Sequence, residues 1–114
     1  MVKISIVCLI YKSSKMADWV YNSVHKFTPQ IKRGEAEFFF IANDATKAVV
    51  NHLNIKGYKY FLNNCPKFSD SELFQMGYGK PAYISEVYNG YNRGILEAKG
   101  EIVVLINSDN YFSP

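Results

Sequence analysis

Four short apolar runs, separated by longer amphipathic segments, constrain the fold of this chain more than any other feature. Runs of this length, rich in β-branched and aromatic residues, are typical of strands that helices cover on both faces. These strands are predicted over residues 3–10, 37–42, 58–62 and 101–106. Between them, apolar side chains recur three and four residues apart, which predicts helices. The helices are predicted over residues 17–27, 45–53 and 84–99.

The alternation of strands and helices predicts an α/β fold, a Rossmann-like and mostly parallel sheet with helices on both faces. A length of 114 residues fits one domain, residues 1–114, with a sizeable core. Asp18 is expected in the first turn of the first helix, and Gly100 is expected to end the last one. The buried face of that last helix is predicted to carry Tyr88, Tyr91 and Ile95.

Composition excludes several classes of protein. No apolar run approaches the roughly 20 residues of a membrane-spanning helix. Cys8 and Cys65 are too few for a disulfide framework or a zinc site, so a reducing cytoplasm is the expected location. The formal net charge is +3, but the basic residues are scattered, which argues against nucleic-acid binding. Residues 63–82 read as a long loop.

Familiar catalytic motifs are missing from the sequence. It contains no glycine-rich dinucleotide fingerprint and no P-loop. His25 and His52 stand in no nucleophile motif and are expected to be surface residues. Ligands of parallel sheets bind at the carboxyl ends of the strands, so attention falls on the polar residues that follow each strand. Among these, Asp44 and Asp109 could accept hydrogen bonds from a base or a ribose, or bind a divalent cation. The alternative, that each aspartate only caps the following turn, stays open.

Three segments together resemble the family 2 glycosyltransferases, which have the GT-A fold of nucleotide-diphospho-sugar transferases. Residues 3–11 are similar to the opening strand and its tyrosine turn, and residues 40–46 to the strand that ends in paired aspartates. Residues 92–110 resemble the helix, glycine turn, strand and Asp-x-Asp motif of that family. The order and spacing of the three segments agree, and they span nearly the whole chain.

The resemblance implies a role for five residues. Tyr11 would line the base pocket, and Asp44 would hydrogen-bond the base. Asn92 would belong to the helix motif near the donor site. Asn107 would contact the ribose, and Asp109 would bind Mg²⁺ or Mn²⁺ and, through the metal, the diphosphate. The implied ligand is a nucleotide-diphospho-sugar, whose sugar the complete protein would transfer to a polysaccharide, a lipid or a protein glycan.

The sequence departs from the family pattern at several positions. Leu9, Lys12, Asn43 and Asn107 replace the usual proline, asparagine and two aspartates. The chain also ends soon after Asp109, so we expect a truncated domain, the donor-binding half, with an unknown catalytic base and little activity alone. The complete protein could be membrane-associated. An incomplete sheet would expose apolar surface and favour homo-oligomers.

Two alternatives to an enzyme remain open at this stage. The first is a non-catalytic α/β module that binds a nucleotide or a partner through a degenerate metal site. The second is an unrelated interaction domain that uses its nine tyrosines. Metal-dependent binding of UDP, and its loss on removal of the Asp109 carboxylate, would discriminate between these hypotheses.

Overall fold

The part of the chain that the structure describes forms a four-stranded sheet with helices packed against it. A computed structural model describes residues 2–64, 71 and 81–107, with backbone positions alone for residues 81–86. The elements are β1 (Ile4–Ile10), α1 (Ser14–Phe27), β2 (Ala36–Asn43), α2 (Lys47–Lys56), β3 (Tyr60–Asn63), α3 (Pro81–Glu97) and β4 (Ile102–Asn107). Most of the predicted loop over residues 63–82 lies outside the described residues.

All pairings in the sheet are parallel, and the strand order is β3-β2-β1-β4. The strand β1 is central, because it pairs with β2 on one side and with β4 on the other. Leu9 illustrates the register, because it pairs with Ile41 of β2 on one side and with Asn107 of β4 on the other. The predicted α/β architecture with a parallel sheet is confirmed.

The two faces of the sheet carry separate apolar layers. Even-numbered residues of β1 and β2, such as Cys8 and Phe40, pack with Val20 of α1 and Leu53 of α2. Odd-numbered residues of the same strands pack under α3. This division follows from the alternation of side chains along a strand. Helices therefore cover both faces, as the uninterrupted apolar runs predict.

Polar side chains cap the N-terminal ends of α1 and α2, which lie at the carboxyl edge of the sheet. The Ser13 hydroxyl accepts the Met16 N–H at 3.2 Å, and the Thr46 hydroxyl accepts the N–H of Val49 at 3.3 Å. Since α1 begins at Ser14, Asp18 falls in its second turn, and the expectation of a first-turn aspartate is wrong. The helix α2 ends at Lys56, and its C-cap Gly57 has a left-handed φ of 71°, a common way for a helix to end.

The helix α3 lies unusually close to β1 because glycines face the sheet. A Cβ on Gly94 would lie 2.5 Å from Cγ1 of Val7, and one on Gly90 would lie 2.9 Å from Cδ2 of Leu9. The expected buried face is therefore wrong in part, because Tyr88 and Ile95 are exposed instead. The spacing of apolar residues does not reveal that Gly90 and Gly94 face the sheet, because glycine has no apolar side chain.

The end of α3 is tied to the amino edge of the sheet. Gly100 does not have the left-handed conformation of a helix stop; it approaches β1, and its N–H donates to the Ser5 hydroxyl at 2.8 Å. Ser5 in turn donates to Glu37 at 2.6 Å, and Glu37 also accepts the Lys99 N–H. Partial burial opposes ionisation of Glu37, but the hydrogen bonds and Lys59 outweigh it and lower its pKa.

Apolar side chains remain exposed along β4, where Ile102 is 59% exposed and Leu105 is 39% exposed. This agrees with the expectation of exposed apolar sheet surface, while self-association itself stays a prediction. In the part of the chain that the structure describes, no helix combines the length and hydropathy needed to cross a membrane.

Candidate functional site

The four strands end together at the carboxyl edge of the sheet. Since all of them are parallel, the last residues of β2, β3 and β4 lie at this edge, and each of the three is an asparagine: Asn43, Asn63 and Asn107. The order of the strands across the sheet also reverses at β1, because β2 and β3 lie on one side of β1 and β4 lies on the other. A crevice at such a switch point is where ligands of open α/β sheets bind.

Tyr11 and Asp44 lie in neighbouring turns at this edge. The turns are joined by a hydrogen bond of 3.0 Å from the Thr46 N–H to the Tyr11 carbonyl oxygen. Tyr11 is 53% exposed, so its ring is accessible to a ligand. Asp44 is half-buried and has a φ of 49°, a left-handed conformation that aspartate adopts more readily than most residues. The structure therefore brings these two predicted residues together.

Asn107 lies at the same edge on the other side of β1. It is exposed and accepts a hydrogen bond of 2.7 Å on Oδ1 from the Tyr91 hydroxyl. Two strand spacings, roughly 10 Å, separate β2 from β4 across β1. Asp44 and Asn107 therefore flank Tyr11, and the span fits a ligand as long as a nucleoside better than a bare ion.

Asn92 is placed apart from the other predicted residues. Gly90 and Gly94 face the sheet, and each helical residue turns by about 100°, so Asn92 lies on the opposite face of α3. Its side chain is accordingly exposed. The structure does not bring Asn92 to the edge where Tyr11, Asp44 and Asn107 lie.

Asparagine side chains form a hydrogen-bonded amide network at this edge, which the sequence does not predict. Nδ2 of Asn63 donates to Oδ1 of Asn43 and to Oδ1 of Asn89, both at 2.9 Å. The Asn63 carbonyl oxygen also accepts the Asp44 N–H at 2.8 Å. Asn63 thus holds both the last residue of β2 and the aspartate that follows it. Asn89-Gly90 inside a helix was the available signal, because both are poor helix formers.

The described residues do not form a metal site by themselves. They contain no group of three or more His, Cys, Asp or Glu side chains that could hold an ion. Asp109, the predicted metal ligand, lies outside the described residues. Asp44 supplies a carboxylate on the β2 side, and Asn107 supplies an amide, a weaker ligand for Mg²⁺ or Mn²⁺ than a carboxylate.

A second polar cluster lies between α1 and α2, away from the four strand ends. Asp18 Oδ1 accepts hydrogen bonds of 2.8 Å from His52 Nε2 and from the Tyr58 hydroxyl. Partial burial opposes ionisation of Asp18, but these two hydrogen bonds and nearby positive charge lower its pKa. Burial, together with the contact to Asp18, raises the pKa of Tyr58. His52 is therefore a partnered, half-buried residue, where the sequence suggested a surface one.

Comparisons of the chain with protein-family models, with curated proteins and with solved structures found no match. The likeness to the family 2 glycosyltransferases consequently depends on the residues and motifs of this sequence.

Proposed function

We propose that this chain is the donor-binding portion of a glycosyltransferase of the family 2 type, and that it holds a nucleotide-diphospho-sugar at the carboxyl edge of its sheet. The observation that supports this best is the position of Tyr11, Asp44 and Asn107 along the carboxyl edge of the sheet, next to its switch point. In the complete protein, the sugar would pass to a polysaccharide, lipid or protein glycan in the cytoplasm.

Each residue has a role that its chemistry suits. The exposed ring of Tyr11 offers a stacking surface to the base. The Asp44 carboxylate can accept hydrogen bonds from N–H groups of the base, and Asn107 can hydrogen-bond the ribose. Asp109, two residues beyond β4, would hold Mg²⁺ or Mn²⁺ against the diphosphate, as those ions favour carboxylates together with substrate phosphates. No residue is assigned as the catalytic base.

A second candidate is a binding module that carries out no sugar transfer. Asn43 favours it, because its Oδ1 accepts a hydrogen bond from Asn63 within the amide network. A residue engaged in this way supports the edge rather than adding negative charge for a metal. In this alternative, the edge would bind the nucleotide with little dependence on a divalent cation.

Isothermal titration calorimetry with UDP, with and without Mn²⁺, tests both candidates. Asp44→Asn keeps the shape of the side chain and tolerates the left-handed φ, but it removes the charge. We expect affinity for UDP to fall by about tenfold to a hundredfold, the usual range for a lost charged hydrogen bond. Glu101→Gln is the matched control, since Glu101 is exposed next to the first residue of β4, at the opposite edge.

The outcomes separate the candidates clearly. Mn²⁺-dependent binding that is lost in Asp109→Ala supports the glycosyltransferase proposal. Binding that is indifferent to Mn²⁺ and to Asp109→Ala supports the binding module. If wild-type protein does not bind UDP under either condition, or if Asp44→Asn binds as tightly as wild type, the assignment of this edge is wrong.

A further inference from the structure

Three consecutive residues of α3 contact the carboxyl edges of all four strands. Asn89 accepts a hydrogen bond from Asn63 of β3, and Tyr91 donates one to Asn107 of β4. Between them, Gly90 lies against Leu9 of β1 and against the Asn43 side chain of β2. A single turn of α3 therefore contacts the carboxyl edge of the sheet on both sides of the switch point.

Tyr91 is held in place more firmly than Asn107. Its ring is half-buried and packs against the apolar layer that contains Val7 and Leu9. The close approach of Gly90 and Gly94 fixes the rotation of α3 about its axis. Asn107, in contrast, is an exposed residue at the end of an edge of the sheet. The packed Tyr91 side chain therefore contributes to positioning the exposed Asn107 side chain.

The direction of the hydrogen bond between Tyr91 and Asn107 also decides which side-chain atom of Asn107 faces away from Tyr91. The Tyr91 hydroxyl donates to Oδ1 of Asn107, so the amide nitrogen, Nδ2, is turned away from Tyr91. An amide nitrogen carries two hydrogen-bond donors and no acceptor. Groups that accept hydrogen bonds, such as ribose or diphosphate oxygens, complement Nδ2, whereas a cation does not.

We propose that Tyr91 is a positioning residue, which orients the Asn107 amide so that Nδ2 donates to an oxygen of a bound nucleoside diphosphate. This inference rests on the proposed function, because it takes the nucleotide to bind at this edge. It goes beyond that function in giving Asn107 a donor role towards the nucleotide and in adding a residue from α3 that the sequence motif does not include.

Calorimetry with UDP and Mn²⁺ on Tyr91→Phe tests the proposal. Phenylalanine keeps the packed ring and removes only the hydroxyl. The chain offers a matched control in Tyr60→Phe, because the Tyr60 hydroxyl donates to Oδ1 of Asn54 at the same distance, 2.7 Å, but at the start of β3. We expect Tyr91→Phe to weaken UDP binding about threefold to tenfold, the range for one neutral hydrogen bond, and Tyr60→Phe to leave it unchanged.

A double-mutant cycle separates positioning from a general structural effect. In an Asn107→Ala background, Tyr91→Phe should have no further effect on affinity, because the amide that it orients is absent. The Asn107 side-chain NH₂ signals in an NMR spectrum of the unliganded protein should shift in Tyr91→Phe and stay unchanged in Tyr60→Phe. This second readout does not depend on nucleotide binding.

The possible failures are distinguishable. Wild-type protein that does not bind UDP overturns the proposed function together with this inference. Wild-type binding with no loss in Tyr91→Phe overturns the positioning role alone. An equal loss of affinity in the wild-type and Asn107→Ala backgrounds, or NMR signals of Asn107 that do not move, overturns it as well.

Discussion

Gly94→Ala tests how closely α3 lies on the sheet. The added Cβ would lie 2.5 Å from Cγ1 of Val7, whereas ordinary carbon contacts require about 3.5 Å or more. Val7 is completely buried, and its β-branched side chain is stiff about χ1. We therefore expect the helix and β1 to separate by about 1 Å at this point.

The size of the effect follows from two opposing contributions. Overpacking in a buried site costs about 1–3 kcal/mol, and a clash with a stiff side chain belongs in the upper part of that range. Alanine in place of glycine inside a helix contributes about 1 kcal/mol of stability. We expect Gly94→Ala to lower the free energy of unfolding by about 1–2 kcal/mol and Tm by about 4–8 °C.

Urea unfolding followed by circular dichroism measures this loss, and a cycle with Val7→Ala assigns its cause. Val7→Ala removes the clashing carbon and by itself should cost about 2–3 kcal/mol. In the double variant the clash is gone, so the combined loss should be smaller than the sum by about 1 kcal/mol or more. Additive losses, or a Gly94→Ala protein that is more stable than wild type, would refute the close approach.

Three further predictions concern contacts elsewhere. Gly100→Ala should cost more than Gly94→Ala, about 3 kcal/mol, because its Cβ would meet the β1 backbone at 2.8 Å and backbone cannot rotate aside; urea unfolding measures it. Glu37→Gln should lose about 1–2 kcal/mol at pH 7. Since the folded pKa of Glu37 lies below its ordinary 4.5, wild-type stability should fall as pH drops below about 4.5, and less so in Glu37→Gln. Asp18→Ala should cost about 1–3 kcal/mol, because the Tyr58 hydroxyl loses its acceptor; a melt at pH 7 that matches wild type would contradict this.

β1 and β2 could be predicted from the sequence because burial on both faces leaves a continuous apolar run. β4 has a run of the same kind although Ile102 and Leu105 are exposed. The predicted run over residues 3–10 corresponds to β1 at Ile4–Ile10, and the run over residues 101–106 corresponds to β4 at Ile102–Asn107. The parallel arrangement follows from the alternation with helices and is confirmed. The sequence predicts the start of α1 three residues too late, at residue 17, because Ser13 caps the helix and polar residues form its first turn.

The candidate site could be predicted only where a residue directly follows a strand. Tyr11 and Asp44 satisfy that condition, and Asn107 ends β4 itself. Asn63 and Asn89 could not be predicted as partners, because a hydrogen bond between side chains 26 residues apart produces no periodic pattern in the sequence. The sequence predicts that Tyr91 is buried, but the contact of its hydroxyl with Asn107 depends on the rotation of α3 about its axis, which the sequence does not specify.

The attachment of α3 at its middle and just beyond its C-terminal end has a consequence for how this edge can receive a ligand. Asn89 and Tyr91 attach it at one edge of the sheet, while the N–H groups of Lys99 and Gly100 attach its far end at the other. Sliding of the helix along β1 would break both attachments at once. The Asn63, Asn89 and Asn107 side chains are therefore preorganised: their conformational entropy is lost during folding, so association has little left to order among them.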